Sequence, residues 1–321
     1  MQIVAVDIGG THARFAIAEV DGGAVRSLGE VCTLKTGEHA SLTTAWEVFR
    51  ERSGGTLPPA AAIAFAGPVQ GELLKLTNNP WVLRPARIPQ ELGIERLTIV
   101  NDFGAVAHAV AQLADRDYLH LCGPETGLPN EGVVSVLGPG TGLGVAQLLR
   151  RSGDYEVIET EGGHIDFAPL DSIEDRILAA LRERYRRVSV ERLVAGMGLP
   201  HIYGVLAAIE GRPVENRDEK ALWTAALAGT DSLASAALAR YCLCLGSVAG
   251  DLALAHGATA VVIAGGLGLR LAEHLPGSGF RDRFIAKGRF ERRMDVMPVK
   301  LLTFPQPGLF GAAAAFALEH R

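Results

Sequence analysis

Residues 1–20 read MQIVAVDIGGTHARFAIAEV, and the stretch VDIGGTHAR, Val6 to Arg14, decides how the rest is read. The apolar run from Ile3 to Val6 predicts a short buried strand. The pair Gly9-Gly10 predicts a turn whose backbone N–H groups are able to cradle a phosphate, with Thr11 adding a hydroxyl. Asp7 lies in the same turn, where a carboxylate repels phosphate. Two readings meet that conflict: a plain hairpin whose Asp caps the turn, or a cation between the two negative groups. In the second, Mg²⁺ faces Asp7 through its water shell, because it gives up water reluctantly.

Working outward, 13–20 and 24–34 predict two further strands joined at Asp21-Gly22-Gly23. Ser41 precedes a helical pattern over 42–52 that stops at Gly54-Gly55. The run 60–66 reads as a buried strand, and 96–103 as a strand leading to a helix over 104–114. Strands alternating with helices indicate an α/β fold with a mixed or parallel sheet. Near residue 132 the pattern restarts as strand, glycine loop, strand. Gly10-Thr11 falls over Gly140-Thr141 at a spacing of 130 residues, which also pairs Phe15 with Val145 and Ile3 with Val133. Two such units predict a duplicated architecture with a cleft between the halves. Helices are expected over about 172–186, 189–196, 219–229 and 231–256. A strand over 259–266, a helix from Leu267, a late strand over 294–304 and a small-residue helix over 308–319 follow.

The length of 321 residues allows two domains, and 48% hydrophobic with 21% charged residues is ordinary for a globular chain. A net charge of −5 and a pI near 6.0 speak against a nucleic-acid partner. Cys32, Cys122, Cys242 and Cys244 form no C-x-x-C pair and are expected to be buried thiols in a reducing compartment. Asp7 interrupts the first apolar run, so no leader is expected. Asp251 breaks the run 241–255, so no membrane span is expected and the protein is placed in the cytoplasm.

No G-x-x-x-x-G-K-[ST], H-E-x-x-H or G-x-S-x-G occurs, and 138–144 fails the G-x-G-x-x-G spacing. Two glycine loops with scattered carboxylates suit phosphoryl transfer, which needs phosphate cradles, a metal and a group to orient the attacking hydroxyl. Asn101-Asp102 stands where a strand meets a helix, as an N-cap or as a general base at a strand's carboxyl end. In TEGGHIDF a glycine pair lets Glu161 and His164 bend to one spot, where they suit hydroxyl groups; the plain alternative is a surface turn. Glu191 is either an exposed helix-start glutamate or part of the same set.

DIGGTHARFA, NDFGAVAHA, GPGTGLGVA, EGGHIDFAP, VERLVAGMGL, VVIAGGLGLR and QPGLFGAAAA stand in the order found in bacterial glucokinases. The chain resembles that family, the ATP-dependent hexokinase-like enzymes of the actin-like ATPase superfamily, from Val6 to Ala315. The resemblance implies a two-domain, ribonuclease H-like α/β fold: residues 1–110 with 304–321 as a small domain and 111–303 as a large one. It implies glucose and ATP as substrates, Mg²⁺, and a homodimer. Asp7, Gly9, Gly10 and Thr11 then look like the first phosphate loop, Gly140, Thr141 and Gly142 the second, and Gly265 and Gly266 the adenosine-side turn. Asn101, Asp102, Glu161, His164 and Glu191 look like sugar-hydroxyl contacts, with Asp102 as the base, and Asn78 borders the sugar. His12, Ala195 and Met197 depart from the family's more usual Asn, Ser and Pro. The zinc motif of the related sugar-kinase and repressor family is absent from the sequence. The rivals are a kinase for another sugar, such as mannose or N-acetylglucosamine, and a non-catalytic sugar sensor.

Overall fold

The computed structural model describes residues 1–76, 79, 81–214 and 217–321. The chain divides into two compact units: residues 1–114 with 157–159 and 304–321, and residues 115–156 with 160–303.

The first unit is built on β1 (Gln2–Ile8), β2 (His12–Asp21), β3 (Ala24–Leu28), β4 (Cys32–Lys35), β5 (Ala60–Phe65) and β8 (Arg96–Asn101). A two-strand ribbon, β6 (Leu74–Lys75) and β7 (Val82–Leu83), stands apart. The sheet runs β3-β2-β1-β5-β8, with β4 also on β2; β1 is antiparallel to β2 and parallel to β5, and β5 is parallel to β8. Alternation sorts β1 onto two faces. Val4, Val6 and Ile8 join Phe15, Trp46 and Phe49 on one side, while Ile3 and Ala5 meet Leu309, Ala313 and Phe316 on the other. The second face is floored with alanine, so helix Pro307–Glu319 lies close, and Gly311 fits where a Cβ would stand 1.7 Å from the Ala105 carbonyl oxygen. Burying a side chain the size of Phe316 contributes about 1.5–3 kcal/mol, so this closing helix anchors the sheet.

The second unit's sheet runs β12 (Asp154–Thr160), β11 (Leu143–Arg151), β10 (Gly132–Pro139), β13 (Ala260–Ile263), β14 (Val299–Leu302), β9 (Tyr118–Cys122). As in the first unit, an antiparallel hairpin is followed by two parallel strands. Helices Ser172–Arg184, Gly198–Ile209, Glu219–Ala228 and Ser232–Ala255 supply much of its core. By length and composition Ser232–Ala255 would cross a membrane; its window is mostly buried inside the protein.

Several expectations are corrected. The strand expected over 24–34 is two, because Gly29 turns in and donates its N–H to the Ile17 carbonyl at 2.8 Å. The helix after β8 begins at Asp102, not at 104. The late strand is confined to Val299–Leu302, and Glu291–Asp295 before it is a short helix. Only Glu191–Val194 of 189–196 is helical, whereas Gly198–Ile209, whose Gly-Met-Gly-Leu-Pro start reads as a break, is a full helix. All four cysteines are free, but Cys32 is half-buried, with the Arg52 guanidinium 3.5 Å from its sulfur. The repeat also needs adjusting. The last rung before the first turn is Ile8 opposite Ala13, and before the second it is Pro139 opposite Leu143. The spacing of 130 therefore holds along the second strand of each hairpin, while the first strand is offset by one more residue. Since strand side chains alternate, that single residue decides which face each position takes.

Candidate active site

In the first unit the Gly9 N–H donates to the His12 carbonyl at 2.9 Å and closes the turn. The turn is held from outside: the Gly10 carbonyl accepts from Thr36 Oγ1 at 2.9 Å and from Asn79 Nδ2 at 3.0 Å, and the Thr11 carbonyl from the Thr36 N–H at 3.0 Å. Thr11 itself is exposed, 3.1 Å through its Oγ1 from His12 Nδ1. Gly9 has no left-handed φ, and a Cβ there would meet only the His12 carbonyl oxygen at 3.5 Å, an ordinary contact. The fold does not demand glycine at position 9.

Asp7, one rung from the turn, pairs through Oδ2 with Arg14 at 3.1 Å and keeps 19% of its side chain exposed. A Cβ on Gly308 would lie 2.9 Å from the carboxylate, so Asp7 sits against the start of helix Pro307–Glu319, whose N-terminal dipole favours an anion. Burial pushes the Asp7 pKa up, and the Arg14 charge and hydrogen bond only partly offset it. Among the described residues no three His, Cys, Asp or Glu side chains gather as a metal cage. The donor set fits a Mg²⁺ ion that keeps most of its water and touches the protein through one carboxylate.

At Asn101-Asp102 the two readings divide between the two residues. Asn101 is the N-cap: its Oδ1 accepts from the Phe103 N–H at 2.8 Å and the Gly104 N–H at 3.1 Å, and its Nδ2 donates to the Gly67 carbonyl at 3.1 Å. Asp102 is the first residue of helix Asp102–Gln112, with Oδ1 also 2.9 Å from the Phe103 nitrogen. The cap does not depend on Asp102. These bonds use one of the two hydrogens of the Asn101 amide.

In the second unit three candidate groups converge on Leu143. Its N–H donates to Glu191 Oε2 at 2.9 Å, just past the turn that the Gly140 N–H closes on the Gly142 carbonyl at 2.8 Å. Its carbonyl oxygen faces Gly163, where a Cβ would stand 2.2 Å away. That glycine lets the single turn Gly162–His164 press onto β11, and the turn swings Glu161 and His164 to the same side, 3.9 Å apart and more than half exposed. Gly142 leaves room for Glu191: a Cβ there would lie 2.5 Å from Oε2. The Gly140 carbonyl accepts from the Gly196 N–H at 2.8 Å, so the segment carrying Ala195 (buried) and Met197 (exposed) braces the same turn. Gly265 and Gly266 open helix Gly265–Arg270 instead of forming a separate turn. Gly265 has a φ of +79° and packs where a Cβ would be 2.8 Å from the Pro139 carbonyl, which puts the expected adenosine side beside the second loop.

Asn78 lies outside the described residues. Its neighbour Asn79, together with Thr36, is what holds Gly10, and the sequence marked neither; the only local hint was a second asparagine in LTNNPW.

The family model described as Glucokinase matches residues 4–319. The chain is 67% identical over 321 residues to a curated glucokinase of Zymomonas mobilis, covering all of this chain and 99% of that one. It is 39% identical over 316 residues to the glucokinase of a Caulobacter species, covering 98% and 95%. Among solved structures it superposes on a glucokinase from an Antarctic psychrotroph with a TM-score of 0.86, at 32% identity and 98% of both chains. With its α/β build and mixed sheets the chain has the actin-like ATPase fold. Matched over nearly its whole length, the chain belongs to the glucokinase family.

Proposed function

We propose that the protein transfers the γ-phosphoryl group of Mg-ATP to the 6-hydroxyl of glucose, with the work divided between its two units, which act as its two domains. The observation that carries the catalytic assignment is the division of labour at the head of helix Asp102–Gln112. Asn101 caps it, so the cap itself does not call for a carboxylate at Asp102, which stands at the carboxyl end of β8.

Asp102 accepts the proton of the 6-hydroxyl as the new O–P bond forms and the bond to the leaving ADP oxygen breaks. Proton transfer comes late, and most of the catalysis is placement and charge stabilisation. Glu161, His164, Glu191 and an Asn101 amide hydrogen take the remaining hydroxyls, the carboxylates accepting and the amide donating. Gly9, Gly10 and Thr11, with Gly140, Thr141 and Gly142, offer backbone N–H groups and hydroxyls to the phosphates, and Gly265 and Gly266 border the nucleoside. Mg²⁺, when bound, neutralises charge on the phosphates, and Asp7 is the residue that would hold its water shell. The resemblance to glucokinases further supports a homodimer working in the cytoplasm.

A coupled assay of ATP consumption over a panel of sugars tests this reading. Glucose should turn over with the highest kcat/KM. Preference for mannose or N-acetylglucosamine would move the assignment to another sugar, and no turnover of any sugar would reduce the protein to a sensor.

A further inference from the structure

The helix that carries Asp102 is capped in an unusual way. In a local capping box the residue three positions into the helix sends a Glu or Gln side chain back to the N–H of the N-cap residue. Helix Leu42–Arg52 does this with its own residues, Ser41 and Thr44. In helix Asp102–Gln112 the third position is Gly104, which has no side chain to send. The Asn101 N–H instead donates to Glu159 Oε1 at 2.7 Å, a residue 58 positions away that is counted with the first unit. Gly104 and Glu159 fit one another, since a Cβ on Gly104 would stand 2.6 Å from Oε1 and 2.9 Å from Cγ of Glu159. Helix Asp102–Gln112 thus has both halves of a capping box, one of them delivered from far along the chain.

We infer that Glu159 is a positioning residue for phosphoryl transfer: by holding the Asn101 N–H it fixes the Val100–Asn101 peptide, one residue before Asp102. The inference rests on the reading of Asp102 as base. With Glu159 gone, Asn101 still caps the helix through its side chain, but the Val100–Asn101 peptide loses the partner of its N–H and Asp102, next along the chain, is held less firmly. Misplacement of a reacting group by a fraction of an ångström is enough to lower turnover several-fold while binding is little changed.

The test is steady-state kinetics on the whole protein, with melting curves, for Glu159→Ala, Glu159→Gln and Gly104→Ala. Glu159→Ala should lower kcat by about 5–50-fold, with KM for ATP within about twofold. Gly104→Ala, whose Cβ pushes the carboxylate off, should do the same, and it carries the test if Glu159→Ala does not fold. Glu159→Gln keeps an acceptor oxygen and should recover most of kcat. The deciding comparison is a double-mutant cycle with Asp102→Asn. If Glu159 acts through Asp102, then Glu159→Ala costs little more once Asp102→Asn is present. An unchanged kcat in Glu159→Ala, or an equal further loss on the Asp102→Asn background, overturns the inference. Full activity of Asp102→Asn alone would instead remove the base reading, so the two failures are told apart.

Discussion

In the β1–β2 hairpin the rung beyond the last pair before the turn holds Asp7 and Arg14, an ion pair. At the corresponding rung of the β10–β11 hairpin stand Gly138 and Gly144. The first loop takes its charge from its own strands and is braced by neutral partners, Thr36 and Asn79. The second has bare strands and receives its charge from Glu191, which reaches in from 48 residues away. Two hairpins at the same place in the same strand order thus present different surfaces to an anion. One offers backbone N–H groups beside a carboxylate suited to a hydrated cation. The other offers N–H groups beside a carboxylate already bonded to the backbone. The same contrast runs through the units: the first holds the candidate base, the second most of the candidate sugar contacts.

The largest effect should come from Asp102→Asn. If the first unit holds the chemistry, kcat falls by about 10²–10⁴ while glucose binding stays within about tenfold. A melting curve should still show a folded protein, because Asn101 keeps the cap. Steady-state kinetics showing more than roughly a tenth of wild-type kcat would remove Asp102 as base and with it this side of the contrast.

A pair of glycine variants probes the two sites' packing. Gly163→Ala drives a Cβ into the Leu143 carbonyl at 2.2 Å and should lower stability by about 1–3 kcal/mol, with weaker glucose binding. Gly9→Ala meets an ordinary contact at 3.5 Å, so its melting curve should match wild type while ATP affinity drops. Gly9→Ala binding ATP normally would show that the first loop does not approach phosphate closely.

His164→Ala sharpens the assignment of sugar recognition to the second unit. Loss of one hydrogen bond of about 0.5–1.5 kcal/mol corresponds to a rise in the glucose Kd of a few-fold to about tenfold, with ATP binding unchanged. Calorimetry that finds ATP affinity reduced and glucose affinity intact would reverse the division.

The smallest effect concerns Asp7. Burial raises its pKa in the folded protein despite Arg14, so the ionised carboxylate costs stability at neutral pH. That cost is present above the folded pKa and vanishes below the ordinary carboxylate value of about 4. Asp7→Asn should therefore melt slightly higher than wild type at pH 7, lose that gain as the pH falls toward 4, and be less active throughout. A lower melting temperature at pH 7 would mean that the Arg14 pair outweighs burial.

Much of this architecture was legible in the chain. The apolar runs at 3–6 and 60–65, the glycine turns and the Ser41 cap are local signals, and the structure places a strand, turn or helix at each. The alternation along β1 sorts its residues between two cores without reference to distant sequence. Part of the candidate set was marked the same way, because the two glycine loops and the Glu161–His164 turn around its glycine pair are spelled in consecutive residues, whereas Asn78, Gly265 and Gly266 were marked only by the family resemblance.

Tertiary structure alone decided the rest. It chose Asn101 over Asp102 as the cap, shortened the second turn by one residue, and set Glu191 on the Leu143 N–H. It also brought Asn79 to Gly10 and Glu159 to Asn101. Each of these contacts, apart from the cap and the turn, joins residues 48, 69 or 58 positions apart. The cap itself depends on how the Asn101 amide meets Gly67, a neighbour only in space. Local pattern reports the propensity of a segment and the face it buries; it carries no record of which polar group arrives from elsewhere to satisfy a backbone N–H. That partner is selected when the sheets assemble, and in this protein it decides how the candidate groups are held.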